Sequence, residues 1–129
     1  MIVLDASAAV DWLLLTPAGR TIENRLYSHN ETLHAPHLLD LEVAQVLRRL
    51  SRQGVITLRR ADEAVQDLLD LRINRYAHYV FLPRIWALRH NFSSYDAAYI
   101  GLAEALGATL VTRDRRLAGT AHRAKVETF

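Results

Sequence analysis

An α/β sandwich on a mostly parallel sheet is the fold class this sequence predicts, and two features predict it. The short continuous apolar run Ile2-Val3-Leu4 reads as a buried parallel strand, and Ala108-Thr109-Leu110-Val111-Thr112 is the clearest late strand. Between them lie stretches with apolar residues at helical spacing, and that alternation marks helices covering a parallel sheet. The 129 residues suit a single domain over 1–129, with no repeat, low-complexity segment or linker.

In order along the chain, the first strand is Ile2-Val3-Leu4, ending at Asp5. Helical spacing follows over 8–15, until Thr16-Pro17-Ala18-Gly19 breaks it. A second helix is predicted over 19–29 and a second strand over 32–35. Pro36 suits the first turn of a helix over 36–53, whose stripe is Leu39, Val43, Val46, Leu47 and Leu50 and whose stop is Gly54. Thr57 or Arg60 opens the next helix, with Ala61, Ala64, Val65, Leu68 and Leu71 facing inward. A third strand is predicted over 76–80 and a short helix over 83–90. Ser93-Ser94 precede a helix over 95–106 that Gly107 ends. The strand 108–112, a short helix 115–118 and an edge strand 126–129 complete the chain.

Composition narrows the chemistry. Half the residues are hydrophobic and 23% are charged, as in ordinary globular domains. Cysteine is absent, which removes disulfides, thiolate metal sites and cysteine nucleophiles and suits a reducing cytoplasm. No apolar run approaches the ~20 residues a membrane crossing needs, and Met1-Ile2-Val3-Leu4-Asp5 lacks the basic start of a signal peptide. The net charge of +2 conceals fifteen arginines against the single Lys125. Arginine's planar fork matches phosphate oxygens, although a GC-rich genome also favours its codons. The six histidines show no ligand spacing; His34 and His37, on either side of Pro36, read as structural.

Sites in open α/β sheets form beyond the carboxyl ends of the strands. Asp5 and Asp114 each follow a predicted strand, and each also suits a helix N-cap. Glu42 flanks the apolar face of its helix, and Asp40 lies about 200° away on the helical wheel, so the two acids cannot share one site. Asp96 sits in the first turn of its helix, where Ser93 as N-cap makes it a near capping box. Gathered in one pocket, such carboxylates would repel by roughly 4 kcal/mol per pair at about 4 Å. They would need protons or divalent cations, and all-oxygen ligands select Mg²⁺ or Mn²⁺. Such ions activate water and neutralise a phosphodiester transition state.

Four segments then carry a resemblance: Val3-Leu4-Asp5-Ala6-Ser7; Pro36-His37-Leu38-Leu39-Asp40-Leu41-Glu42-Val43; Ser94-Tyr95-Asp96-Ala97-Ala98-Tyr99-Ile100-Gly101-Leu102-Ala103; and Leu110-Val111-Thr112-Arg113-Asp114-Arg115-Arg116-Leu117. In that order they resemble the PIN-domain ribonucleases, specifically the VapC toxins of bacterial type II toxin–antitoxin systems. The resemblance implies a three-layer α/β/α PIN-like domain with a mostly parallel central sheet. The family's four acids fall on Asp5, Glu42, Asp96 and Asp114, with Asp5, Asp96 and Asp114 as the metal set. Its supporting hydroxyls fall on Ser7 and Thr112. The implied activity is Mg²⁺- or Mn²⁺-dependent endonucleolytic RNA cleavage, restrained by a VapB-type antitoxin and commonly on a homodimeric toxin; the cysteine-free composition and the lack of a membrane-crossing run predict a cytoplasmic protein with no membrane partner.

Asp11 departs from the pattern, standing where relatives often carry an apolar or basic residue; it reads as an extra charge near the site or as a solvated helix residue. Arg48, Arg49 and Arg52 follow Glu42 on its helix, and Arg113, Arg115 and Arg116 flank Asp114. These are candidate phosphate contacts, Arg116, Arg113 and Arg49 foremost, or else a solvated basic face. Trp12, Trp86 and Tyr99 read as core or dimer interface. A phosphatase-like domain would want a second Asp where this chain has Ser7, and a receiver domain a better-placed lysine than Lys125. A PIN-like RNA-binding or interaction module without catalysis is the remaining alternative, and the presence of all four acids argues against it.

Overall fold

The computed structural model describes residues 1–129. Its elements are β1 (Ile2–Leu4), α1 (Ala6–Leu13), α2 (Pro17–Tyr27), β2 (Leu33–Pro36), α3 (Leu38–Arg52), α4 (Leu58–Asp70) and β3 (Ile73–Tyr76). After a 3-10 turn at His78–Phe81 come α5 (Leu82–Ala87), α6 (Ser94–Leu106), β4 (Thr109–Thr112), a 3-10 turn at Arg115–Ala118 and β5 (Lys125–Thr128). The strands form one sheet in the order β3-β2-β1-β4-β5, and every pairing is parallel. Right-handed crossovers advance from β1 through β2 to β3 and place α1 to α4 on one face. The return from β3 to β4 places α5 and α6 on the other. The α/β/α prediction holds, with the sheet wholly parallel.

The sequence dictates the centre of this sheet directly. Ile2, Val3 and Leu4 are all fully buried, as a strand paired on both sides and covered on both faces requires. Helix α6 is buried continuously from Ala97 through Ala103 and packs across β1, β2 and β4. Its small side chains let the helix approach the sheet closely. Ser93 caps it through the Asp96 amide at 3.1 Å, and Gly107 ends it in the left-handed region at φ 60°. Thr57 caps α4 in the same way, accepting from the Arg60 amide at 3.1 Å. The four-residue break expected at Thr16 is instead a cap: its hydroxyl accepts from the Gly19 amide at 3.0 Å, and α2 starts at Pro17.

Two expectations need correction. The third strand is Ile73–Tyr76, not 76–80, which holds only its last residue and a 3-10 turn. Register with β2 pairs Leu33 with Ile73 and Pro36 with Tyr76. An edge strand tolerates Asn74 and Arg75, and Arg75 is neutralised by a two-pronged bond to Asp40 at 2.7 and 2.8 Å. Pro36 is not the first helical residue but the last of β2. The ladder continues past it through the His37 amide, which donates to the Tyr76 carbonyl at 2.8 Å, and α3 begins at Leu38. The other boundaries agree within a few residues.

Helices α1 and α2 meet at Gly19. A Cβ placed there would sit 1.8 Å from the Asp11 carbonyl oxygen, which is backbone and cannot yield. Gly19→Ala is therefore expected to destabilise by at least about 2 kcal/mol through overpacking. Gly54→Ala, in open space at φ 72°, should cost about 1 kcal/mol of conformational strain. Urea melts of both variants test the order; equal costs would contradict the close approach.

Candidate active site

The order β3-β2-β1-β4-β5 puts the reversal of winding direction between β1 and β4, and the carboxyl ends of the strands at such a reversal are where open α/β sheets form their sites. Asp5 leaves β1 at that end and is 6% exposed. It occupies the N-cap position of α1 but makes no cap bond. Its Oδ2 instead accepts from the Ser7 hydroxyl at 2.7 Å and the Thr112 hydroxyl at 2.6 Å. Each hydroxyl in turn accepts a backbone amide, Ser7 from Arg113 and Thr112 from Asp114, both at 3.0 Å. The hydroxyl hydrogens are thereby committed to Asp5. Its Oδ1 receives no protein hydrogen bond, and it is not sealed away, since no fully buried side-chain oxygen lacks a partner.

Glu42 projects from α3 and accepts the Tyr99 hydroxyl on Oε1 at 2.9 Å. Burial pushes its carboxyl above the ordinary carboxylate range, the Tyr99 bond opposes that, and the charges of Asp5 and Asp96 add to it. Asp96, in the first turn of α6, is also pushed up, first by burial and then by Asp5. Burial holds the Tyr99 phenol far above its usual value, so it stays a donor. Asp114 differs: Arg116 grips it, with Nη2 2.5 Å from Oδ2, and lowers its pKa. It also caps the 115–118 turn through the Arg116 amide at 2.9 Å. Asp5, Glu42 and Asp96 have no ion-pair partner.

The structure thus places Asp5, Ser7 and Thr112 in direct contact and sets Glu42 and Asp96 within their electrostatic reach. Asp40 is turned away onto Arg75, as the helical wheel required. The carboxylates stand apart from one another, and no three Asp, Glu or His side chains form a ready-made ligand cage. As a donor set they nonetheless suit a hard divalent cation: all oxygen, and three of the four without a counter-charge. Among the arginines, Arg49 is exposed on α3. Arg113 bonds Asp11 at 2.6 Å and also donates to the Phe129 carbonyl. Asp11 is therefore an ion-paired residue, also accepting from Thr16 at 3.0 Å, and not a solvated one. Tyr99 was the residue sequence reasoning assigned to packing alone; its spacing of three from Asp96 on one helix face was the available signal. A concavity of about 900 Å³, lined by Leu26, Tyr27, Thr32, Leu33, Ile73 and Asn74, opens at the amino ends of β2 and β3, away from these acids.

A family model, the PIN domain, matches residues 2–123. The chain belongs to the PIN-domain family. Within the family it sits among the VapC proteins: Ribonuclease VapC12 of Mycobacterium tuberculosis is 41% identical over 128 residues, 98% of each chain. Ribonuclease VapC9 of the same organism is 42% identical over 120 residues, 93% of this chain and 91% of that one. The PAE2754 structure from Pyrobaculum aerophilum matches with a TM-score of 0.70 at 24% identity, covering 97% of this chain and 81% of that one. Mycobacterium tuberculosis VapC20, described as a sarcin–ricin-loop-cleaving toxin, matches at 0.68 and 17% identity, covering 95% and 97%. At those identities the structural likeness speaks for the PIN fold alone.

Because folding raises the pKa of Glu42, the protonated form stabilises the fold. That contribution is complete below the ordinary value of 4.5 and is lost as pH rises through the raised value. Glu42→Gln keeps the Tyr99 acceptor and removes the charge. In EDTA at pH 7 it is expected to raise the melting temperature by a few degrees, a gain that vanishes below pH 4.5. A gain independent of pH would contradict the electrostatic cause.

Proposed function

We propose that this VapC-family chain is an endoribonuclease, the toxin of a VapBC-type module, and that its RNA cleavage depends on Mg²⁺ or Mn²⁺ held by Asp5, Asp96 and Asp114. The observation that carries the reading is the set of three uncompensated carboxylates at the carboxyl edge of the central strand, in a chain whose curated relatives are ribonucleases. Burying charge without a partner is expensive, and a bound cation removes that cost.

When bound, the ion supplies a lowered pKa for water and positive charge against the phosphodiester transition state. The protein's own groups do the rest. Ser7 and Thr112 hold Asp5 by its Oδ2 and leave its Oδ1 free of protein hydrogen bonds. Asp96 approaches from the opposite helical layer on the rigid first turn of α6. Glu42, with its raised proton affinity and one oxygen fixed by Tyr99, is suited to orient the attacking water and accept its proton on Oε2. Arg116, Arg113 and Arg49 are the candidate phosphate contacts at the rim. A VapB-type antitoxin and a second copy of the chain are the proposed protein partners, and exposed Tyr79, Val80, Leu82 and Trp86 supply apolar surface for such contacts. No helix is long and apolar enough to cross a membrane.

Purified protein incubated with total RNA should cleave it with Mg²⁺ or Mn²⁺ and stop in EDTA. Groups aimed at developing charge are typically worth about 10²–10³ in rate, and Asp5→Asn and Asp96→Asn should each lose activity of that order. Cleavage that survives chelator, or that both variants retain, overturns the metal site. If Asp96 is only a helix-turn residue, Asp96→Asn keeps its activity and shifts stability by less than about 1 kcal/mol.

A further inference from the structure

The fourth acid differs from the other three in already owning a cation. The Arg116 guanidinium lies on Asp114 with Nη2 2.5 Å from Oδ2 and Nε 3.1 and 3.0 Å from Oδ2 and Oδ1. The Arg116 backbone amide takes Oδ1 as well, at 2.9 Å. Both oxygens of a candidate metal ligand are thus occupied by one residue. Yet the Arg116 side chain is 83% exposed and bonds nothing else.

We propose that Arg116 is an exchangeable counter-ion: it holds Asp114 in the free protein, gives it up to the divalent cation, and carries its freed guanidinium to a phosphate of the bound RNA. The inference rests on the metal-dependent reading above and adds an order of events to it.

Three observations carry it. An ion pair this exposed is worth little, so a divalent cation displaces it at small cost. The planar fork that fits a carboxylate fits a phosphate equally well, so the released side chain changes partner without changing geometry. Release does not loosen Asp114, because the backbone amide bond to Oδ1 comes from a turn anchored by buried Leu117. The neighbouring arginines cannot take this part. Arg113 is held by Asp11 and the Phe129 carbonyl, and Arg115 makes no ion pair with any acid.

The test compares the full chain with Arg116→Gln and with Arg59→Gln, which removes an equal charge from the exposed face of α4. Mn²⁺ affinity is read from the electron paramagnetic resonance signal of the free ion. Arg116→Gln should bind Mn²⁺ roughly two- to fivefold more tightly, the equivalent of losing one exposed ion pair, while Arg59→Gln matches the parent. Affinity for a mixed-sequence single-stranded RNA oligonucleotide, read by fluorescence anisotropy, should be the same for parent and Arg116→Gln in EDTA. In Ca²⁺, a hard cation of the same charge, the variant should bind the RNA more weakly by a similar factor. Unchanged Mn²⁺ affinity in Arg116→Gln, an equal shift in Arg59→Gln, or RNA binding weakened as much in EDTA as in Ca²⁺ overturns the exchange while leaving the metal site standing. A parent chain that binds no Mn²⁺ overturns the metal-dependent reading, and the exchange with it.

Discussion

The carboxylate of Asp5 is the group on which the rest of the structure turns. One of its oxygens receives two hydroxyl hydrogen bonds, from Ser7 at 2.7 Å and Thr112 at 2.6 Å. The same hydroxyls accept the amides that start the 113–114 loop. Four segments are pinned by this cluster: the end of β1, the first turn of α1, the end of β4 and the loop that presents Asp114. Hydrogen bonds to a charged acceptor are stronger than neutral ones, and in a half-dry setting they polarise one another. Position in the site therefore follows from the same contacts that register β1 against β4.

Against that well-satisfied centre stand two acids whose surroundings oppose their charge. Glu42 and Asp96 are both pushed toward protonation by burial and by the charge of Asp5, and neither has an ion-pair partner. Stability and chemistry pull in different directions here, as they do wherever a site holds charge ready for a ligand. The surrounding rigidity tolerates the conflict: α6 is buried over its whole inner length and capped at both ends, and Glu42 leans on a phenol that stays protonated.

Much of this was legible in the residues. Strand-end placement of Asp5 and Asp114 followed from the apolar triplet Ile2-Val3-Leu4 and the late run Ala108-Thr109-Leu110-Val111-Thr112, both of which the structure shows as strands. The helical wheel separated Glu42 from Asp40, and the structure gives them different partners, Tyr99 and Arg75. What escaped depended on partners distant in sequence. Strand β3 was misplaced because Asn74 and Arg75 look unlike a strand until Asp40, 35 residues earlier, is seen to neutralise Arg75. Pro36 carries a helix-start signal that strand pairing overrode. The arginines flanking Asp114 looked equivalent in sequence, and only the fold distinguishes Arg113, bound to Asp11 across 102 residues, from Arg116, bound to its near neighbour.

The bond between Thr112 and Asp5 spans 107 residues, and β1 gains its second partner only when β4 is present. During synthesis Asp5 leaves the ribosome 107 residues ahead of the Thr112 hydroxyl that holds it. Until residues 109–114 emerge, the central strand has an open side, and the acid lacks one of its two hydroxyls and its companion Asp114. Such long-range closure slows folding. It also means that a nascent chain cut short before β4 carries a fragment of the site and none of its geometry, so the site matures only once the 109–114 segment has been made.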